Sequence, residues 1–252
     1  MSNEITKKNA GLLERTINYV SNNRKTLSYV GIAALVIGLV AYSIVNGRAH
    51  HEITLSGKIN TIEQKLQSLR TIETPSIAQE ADLNNAVEEL QGIYENNKSF
   101  DNGVRALFLA AKISYEQSDQ AKALELFNQV YDSGKSLLAP MAGLFAAITH
   151  ENQQEFKQAV ELLEEVSEKY PLHFSAGEVL LALGRNQMLM GDPIAAEKTW
   201  TQITETEDYQ ASKSKAKEYI DLLRLTGKGF SQEILDAKAS TLTPEGLNPV
   251  SQ

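Results

Sequence analysis

Cysteine is absent from all 252 residues. That excludes disulfides, thiolate metal sites and cysteine nucleophiles. Positive charge is scarce: 24 Lys and Arg stand against 32 Asp and Glu, a net charge of −8. The deficit is uneven. Residues 1–46 carry five basic and two acidic groups, net +3, and residues 47–252 carry the other 19 and 30, net −11. An acidic portion of that size lacks the basic footprint that nucleic acid requires. Its net charge also opposes docking on anionic lipid head groups. Signatures of catalysis are missing too: no HExxH, P-loop, GxSxG or dinucleotide fingerprint occurs. His50 and His51 are adjacent, but spacing places no third metal ligand, and His150 and His173 stand singly beside turns. No catalytic residue, metal site or cofactor is expected, and function falls to binding.

Long apolar runs are rare, with one exception. Residues 26–45 read TLSYVGIAALVIGLVAYSIV, without a charge. Twenty helical residues at about 1.5 Å each span about 30 Å, the thickness of a bilayer's hydrocarbon core. A cleaved signal peptide is the rival reading, but its apolar core is about 7–15 residues within about 15–30 in all. Here 25 residues precede the run, which favours an uncleaved anchor. Lys7, Lys8, Arg15, Arg24 and Lys25 lie before it, against Arg48, Lys58 and Lys65 in a comparable window after it. Basic flanks stay on the cytoplasmic side, so the N-terminus is expected inside and the large acidic portion outside the cytoplasm. Gly31, Ala34, Gly38 and Ala41 share one face of the run. Small residues let helices pack closely in lipid, although Gly and Ala are also simply common in spans.

Before the run, Leu13, Ile17 and Val20 fall on one helical face. A short amphipathic helix at the inner membrane surface and a basic tail that only sets topology fit equally. After the run, Leu55, Ile59, Ile62, Leu66 and Leu69 are spaced 4, 3, 4 and 3, a two-heptad seam. It serves either a helix packed on its own domain or a short dimerising coiled coil. Pro75 closes that helix.

From residue 80 to 225 the pattern is helical and repeats. Alanine recurs at Ala86, Ala123, Ala159 and Ala196, at intervals of 37, 36 and 37. Four residues after each stands Leu90, Phe127, Leu163 or Trp200, and three further on Ile93, Val130, Val166 or Ile203. Such a period marks stacked helical hairpins. The register resembles the tetratricopeptide repeat, with Leu180, Leu183 and Gly184 on a first helix, Gly191-Asp192 at the turn, and Ala196 and Trp200 on the second. Ser118-Asp119 is the matching earlier turn, and Pro171 closes the middle unit. Ala111, Ala147 and Gly184 let paired helices approach, and the second-helix alanines do the same between hairpins. The unit around Ala86 is either half a repeat or a divergent cap.

The chain thus reads as all-α in five parts: a cytoplasmic segment (1–25), a transmembrane helix (26–45), a linker helix (46–79), a tetratricopeptide-like α-solenoid (80–225) and a tail (226–252). A further short helix is expected within 231–239. Stacked hairpins present a groove lined by their first helices. The first-helix positions not assigned to packing are Arg105, Phe108, Lys112, Tyr115, Arg185 and Met188. Phe108 and Tyr115 also fit a core. Glu161, Glu164, Glu165 and Glu168 read as a solvated helix face, and Asn97-Lys98-Ser99 matches the glycosylation tripeptide, which is frequent by chance.

The layout resembles the ancillary subunit of the bacterial Sec translocon, most clearly in residues 11–45, with Asn22-Asn23-Arg24-Lys25 before the span, and around 180–203. That resemblance implies a single-pass inner-membrane protein with a periplasmic repeat domain beside the translocation channel. It also implies a link to a membrane-anchored parvulin-type chaperone. A membrane-tethered scaffold for envelope assembly or division is the alternative reading.

Overall fold

The computed structural model describes residues 23–70, 76–134 and 137–226. The amphipathic segment around Leu13–Val20, Pro75, and the tail with its short helix lie outside them. Every regular element among the described residues is helical. The α-helices are α1 (Arg24–Arg70), α2 (Ile77–Asn96), α3 (Asp101–Glu116), α4 (Gln120–Ser133), α5 (Ala139–Asn152), α6 (Phe156–Lys169), α7 (Ala176–Leu189), α8 (Pro193–Glu205) and α9 (Gln210–Thr226). A 3₁₀ turn, Glu207–Tyr209, precedes α9. The chain divides into two compact units, Met1–Ser56 and Gly57–Gln252.

In the first unit, α1 carries one stretch long and apolar enough to cross a membrane, with a mean hydropathy of 2.1 and none of it buried. Ala34, Gly38 and Ala41 lie in this exposed helix, and a Cβ at Gly38 would meet nothing within 4 Å. The side-chain position of Gly31 lies outside the described residues.

In the second unit, α3/α4, α5/α6 and α7/α8 are antiparallel hairpins, and each helix also packs on the next in the chain from α2 to α9. One turn recurs between the helices of each hairpin. Ser118, Gln154 and Gly191 adopt positive φ of 63°, 60° and 85°. The amide of the following residue, Asp119, Glu155 or Asp192, then donates to the carbonyl of Ser114, His150 or Gln187, each at 2.9 Å. This is the Schellman closure, which satisfies carbonyls orphaned at a helix end. Asp119 and Asp192 next accept from the amides of Lys122 and Ala195, capping α4 and α8.

Small residues set the helix spacing. Ala111, Ala123, Ala147, Ala159 and Ala196 are fully buried. A Cβ on Gly184 would run into the indole of Trp200, and one on Gly143 would run into Val166. Phe127, Leu163 and Trp200 are fully buried in the layers between helices. Trp200 donates Nε1–H to the Leu181 carbonyl at 3.3 Å and lies 5.0 Å from the Tyr219 ring.

Of the two uses open to the heptad seam, packing on its own domain is the one the structure displays. Ile59, Ile62 and Leu66 belong to the hydrophobic core of the second unit, and Leu55 is buried as well. Side chains spent in the chain's own core are not free to zip a second copy, so the seam does not support a homo-oligomer. Leu69's side chain lies outside the described residues.

Candidate functional site

Stacked hairpins offer a binding groove only where their first helices stay open to solvent. These are α3, α5 and α7, and the six groove positions expected from sequence fall on α3 and α7. The structure separates them. Phe108 is buried, with its ring edge-on to Phe127 at 5.7 Å and to Phe145 at 5.8 Å. Met188 is buried too. Both leave the groove for the core because α5 is buried almost all round, from Ala139 through Ala147 and again at Thr149. A central helix with ten of its fourteen residues buried presents little floor to a ligand.

Tyr115 is half-buried against Phe127 and Phe145, and its hydroxyl accepts from the Asn152 amide at 2.9 Å. Arg105 is half-exposed and donates to Glu63 at 2.6 Å and Asn60 at 3.1 Å. Lys112 is half-buried beside them on α3. What remains accessible of the expected groove is therefore the α3 face, carrying Arg105, Lys112 and Tyr115.

Arg185 is the largest departure. Its side chain is only 5% exposed, and its guanidinium clasps Glu151 through Nε and Nη2, both at 2.8 Å. Asn186 adds a third bond to Glu151 at 2.7 Å, and the Tyr219 hydroxyl also bonds Arg185. Burial alone would disfavour the guanidinium charge, but Glu151 outweighs it, and the arginine pKa lies above its ordinary value. Burial likewise pushes the Tyr219 phenol up, while Arg185 opposes it. The pair ties α5 to α7, the first helices of successive hairpins, and Tyr219 extends it to α9. Glu151 and Arg185 are separated by 34 residues, near the repeat length, which is the one sequence signal for the pairing.

The histidines have local partners. His150 Nδ1 lies 2.7 Å from Glu155, across a repeat turn. His173 Nδ1 accepts from the Ser175 hydroxyl and amide at 2.7 and 3.3 Å. Burial holds His173 below its ordinary pKa, against the pull of the Leu137 backbone and Glu178. His50 and His51 are exposed on α1. No group of His, Asp and Glu suited to a metal occurs among the described residues. Asn97 is buried with its amide donated to the Ile93 carbonyl, so the glycosylation tripeptide does not present its acceptor. Glu161, Glu164 and Glu168 are exposed, and so is Glu165, which accepts from the Tyr131 hydroxyl at 2.8 Å.

Residues 146–173 match the family model of the tetratricopeptide repeat. The match runs from the middle of α5 through α6 to the loop after it, and includes Ala146, Ala147, Ala159, Leu163 and Pro171. No curated protein matches the chain. The chain therefore carries a tetratricopeptide repeat within an all-α stack of helical hairpins. Folds of this type typically serve as non-catalytic surfaces for protein partners.

Proposed function

We propose that the chain is a membrane-tethered, non-catalytic adaptor that binds protein partners through its repeat domain. The observation that carries this reading is the pairing of one span-length apolar helix with a tetratricopeptide-type stack. The flanking charges favour a cytoplasmic N-terminus with the repeats outside the cytoplasm. The resemblance to the ancillary translocon subunit narrows the role. The repeats would receive emerging chains, or hold a periplasmic chaperone, beside the translocation channel of the bacterial inner membrane. Within the domain the accessible α3 face around Arg105, Lys112 and Tyr115 is the segment of groove left for a partner. Within the span, Gly31, Ala34, Gly38 and Ala41 form the face a channel subunit would pack against. The alternative scaffold reading drew on a dimerising seam, and the burial of Ile59, Ile62 and Leu66 in the domain's own core favours the adaptor over it.

Affinity purification from mild detergent with the span intact tests this reading. Channel and chaperone subunits are expected to co-purify. Recovery of unrelated envelope proteins alone refutes the translocon role.

A further inference from the structure

We infer that the α6–α7 loop, residues 170–175, is a pH-sensitive latch: protonation of His173 undoes the turn that closes the start of α7 and loosens the junction between the α5/α6 and α7/α8 hairpins. His173 holds that turn in three ways. Its amide donates to the Tyr170 carbonyl at 3.1 Å, and its carbonyl accepts from the Ala176 amide at 2.9 Å. Its ring Nδ1 accepts from the Ser175 amide at 3.3 Å. A side-chain acceptor on the amide two residues ahead is the pattern of an Asx turn, which asparagine or aspartate ordinarily makes. Ser175 is the N-cap residue of α7, yet its hydroxyl caps no helix amide. It lies 2.7 Å from the same Nδ1 instead. The start of α7 thus relies on an imidazole, where α4 and α8 rely on the carboxylates of Asp119 and Asp192.

A backbone N–H only donates, so Nδ1 holds a lone pair and the single ring proton sits on Nε2. A second proton must therefore enter at Nδ1. The Ser175 amide then faces an N–H in place of an acceptor. The new charge also lies at the N-terminus of a 14-residue helix, where the macrodipole disfavours a cation. Burial acts in the same direction, and the Leu137 backbone and Glu178 oppose it.

Glu178 is not placed to catch the imidazolium directly. Its Oε1 accepts from the Ser212 hydroxyl at 3.3 Å. Glu178 Oε2 and His173 Nε2 are each buried without a hydrogen-bond partner among the described residues. The other charged groups on the elements around the loop are Lys169 on α6, Asp132 on α4, Glu207 and Asp208 in the 3₁₀ turn, and Lys213 on α9. Lys169 sits over the rings of Tyr131 and Tyr170 at 4.8 and 5.5 Å. The other four are exposed or half-exposed. The closed loop therefore keeps the ring neutral. Opening returns the ring to water and to its ordinary pKa, so acid favours the open form.

Hydrogen exchange of the full chain in mild detergent tests the latch. Protection of amides 172–178, corrected for the chemical rate at each pH, should fall between about pH 7.5 and about pH 5.5, while α3 keeps its protection. His173→Asn offers the same turn with a side chain that does not titrate, and should hold the loop closed at both pH values. His173→Ala should leave it open at both. Equal protection of the wild type at both pH values overturns the inference. So does protection that rises in acid, as a His173–Glu178 ion pair would give. Acid opening that persists in His173→Asn assigns the switch to another group and overturns it as well. One check needs no change at position 173. In the chain carrying His50→Gln, His51→Gln and His150→Gln, ring-nitrogen NMR shifts should report the Nε2–H tautomer at neutral pH, and the Nδ1–H tautomer would overturn the latch.

Discussion

Replacing Arg185 with methionine should be among the most damaging single changes in the repeat domain. The variant removes a cation that is 5% exposed and leaves Glu151 with only the Asn186 amide. A carboxylate left in a dry site without its counter-charge costs about 3–5 kcal/mol. The double variant Arg185→Met/Glu151→Met removes both charges at similar volume. Replacement of a buried pair by apolar groups is often neutral or stabilising by about 1–4 kcal/mol. The double variant should therefore recover most of what the single loses. Trp200 supplies the assay, because it is the sole tryptophan and is fully buried in this domain. Its fluorescence during thermal unfolding of the full chain in mild detergent reports on the repeats and not on the span. For a domain of this size about 1 kcal/mol moves the midpoint by about 2–4 °C. The single variant should then melt roughly 6–20 °C early. A single variant within a degree or two of wild type would mean that the site is hydrated and the network weak. A double variant as unstable as the single would mean that packing, not charge, sets the cost.

Other expectations follow from the same geometry. Gly184→Ala drives a methyl into the Trp200 ring and should cost about 1–3 kcal/mol in the same melt. Gly38→Leu meets open space and should leave that melt unchanged while releasing any partner packed on the span, read by co-purification. Ile59→Ala should destabilise the domain by about 2–5 kcal/mol without changing its sedimentation, because the side chain serves the chain's own core. Burial depresses the His173 pKa below 6.5, so the folded state binds the proton less readily than the unfolded chain. Its contribution to stability is present above pH 6.5 and is lost as pH falls from there toward the folded pKa. His173→Gln should flatten that part of the stability profile between neutral and mildly acidic pH, measured by melts across the range.

The stacked-hairpin fold was legible because a solenoid repeats its solution. The recurrence of Ala123, Ala159 and Ala196 with Phe127, Leu163 and Trp200 four residues on states where helices cross. Gly191-Asp192 and Ser118-Asp119 mark two of the turns, whereas Gln154-Glu155 adopts the same positive φ without a residue type that signals it. The groove was less legible. Periodicity identifies which residues share a helix face, but not how closely neighbouring hairpins enclose that face. Phe108 and Met188 sit at positions a wider groove would expose, and α5 is buried from Ala139 through Ala147. Arg185 illustrates the same limit for charge: a lone arginine on a first helix reads as ligand-facing until its carboxylate partner, one repeat away, is placed beside it. Heptad spacing at Ile59, Ile62 and Leu66 likewise states that a face is apolar and is silent on whether that face meets its own domain or another copy.

A photocrosslinker placed at Gly38 in native membranes tests the adaptor account most directly. Covalent capture of a translocation-channel subunit or of a membrane-anchored chaperone, lost when Ala34 and Ala41 are enlarged to leucine, is the predicted result. Adducts to lipid alone, or to envelope proteins that persist unchanged in the enlarged variant, would contradict it.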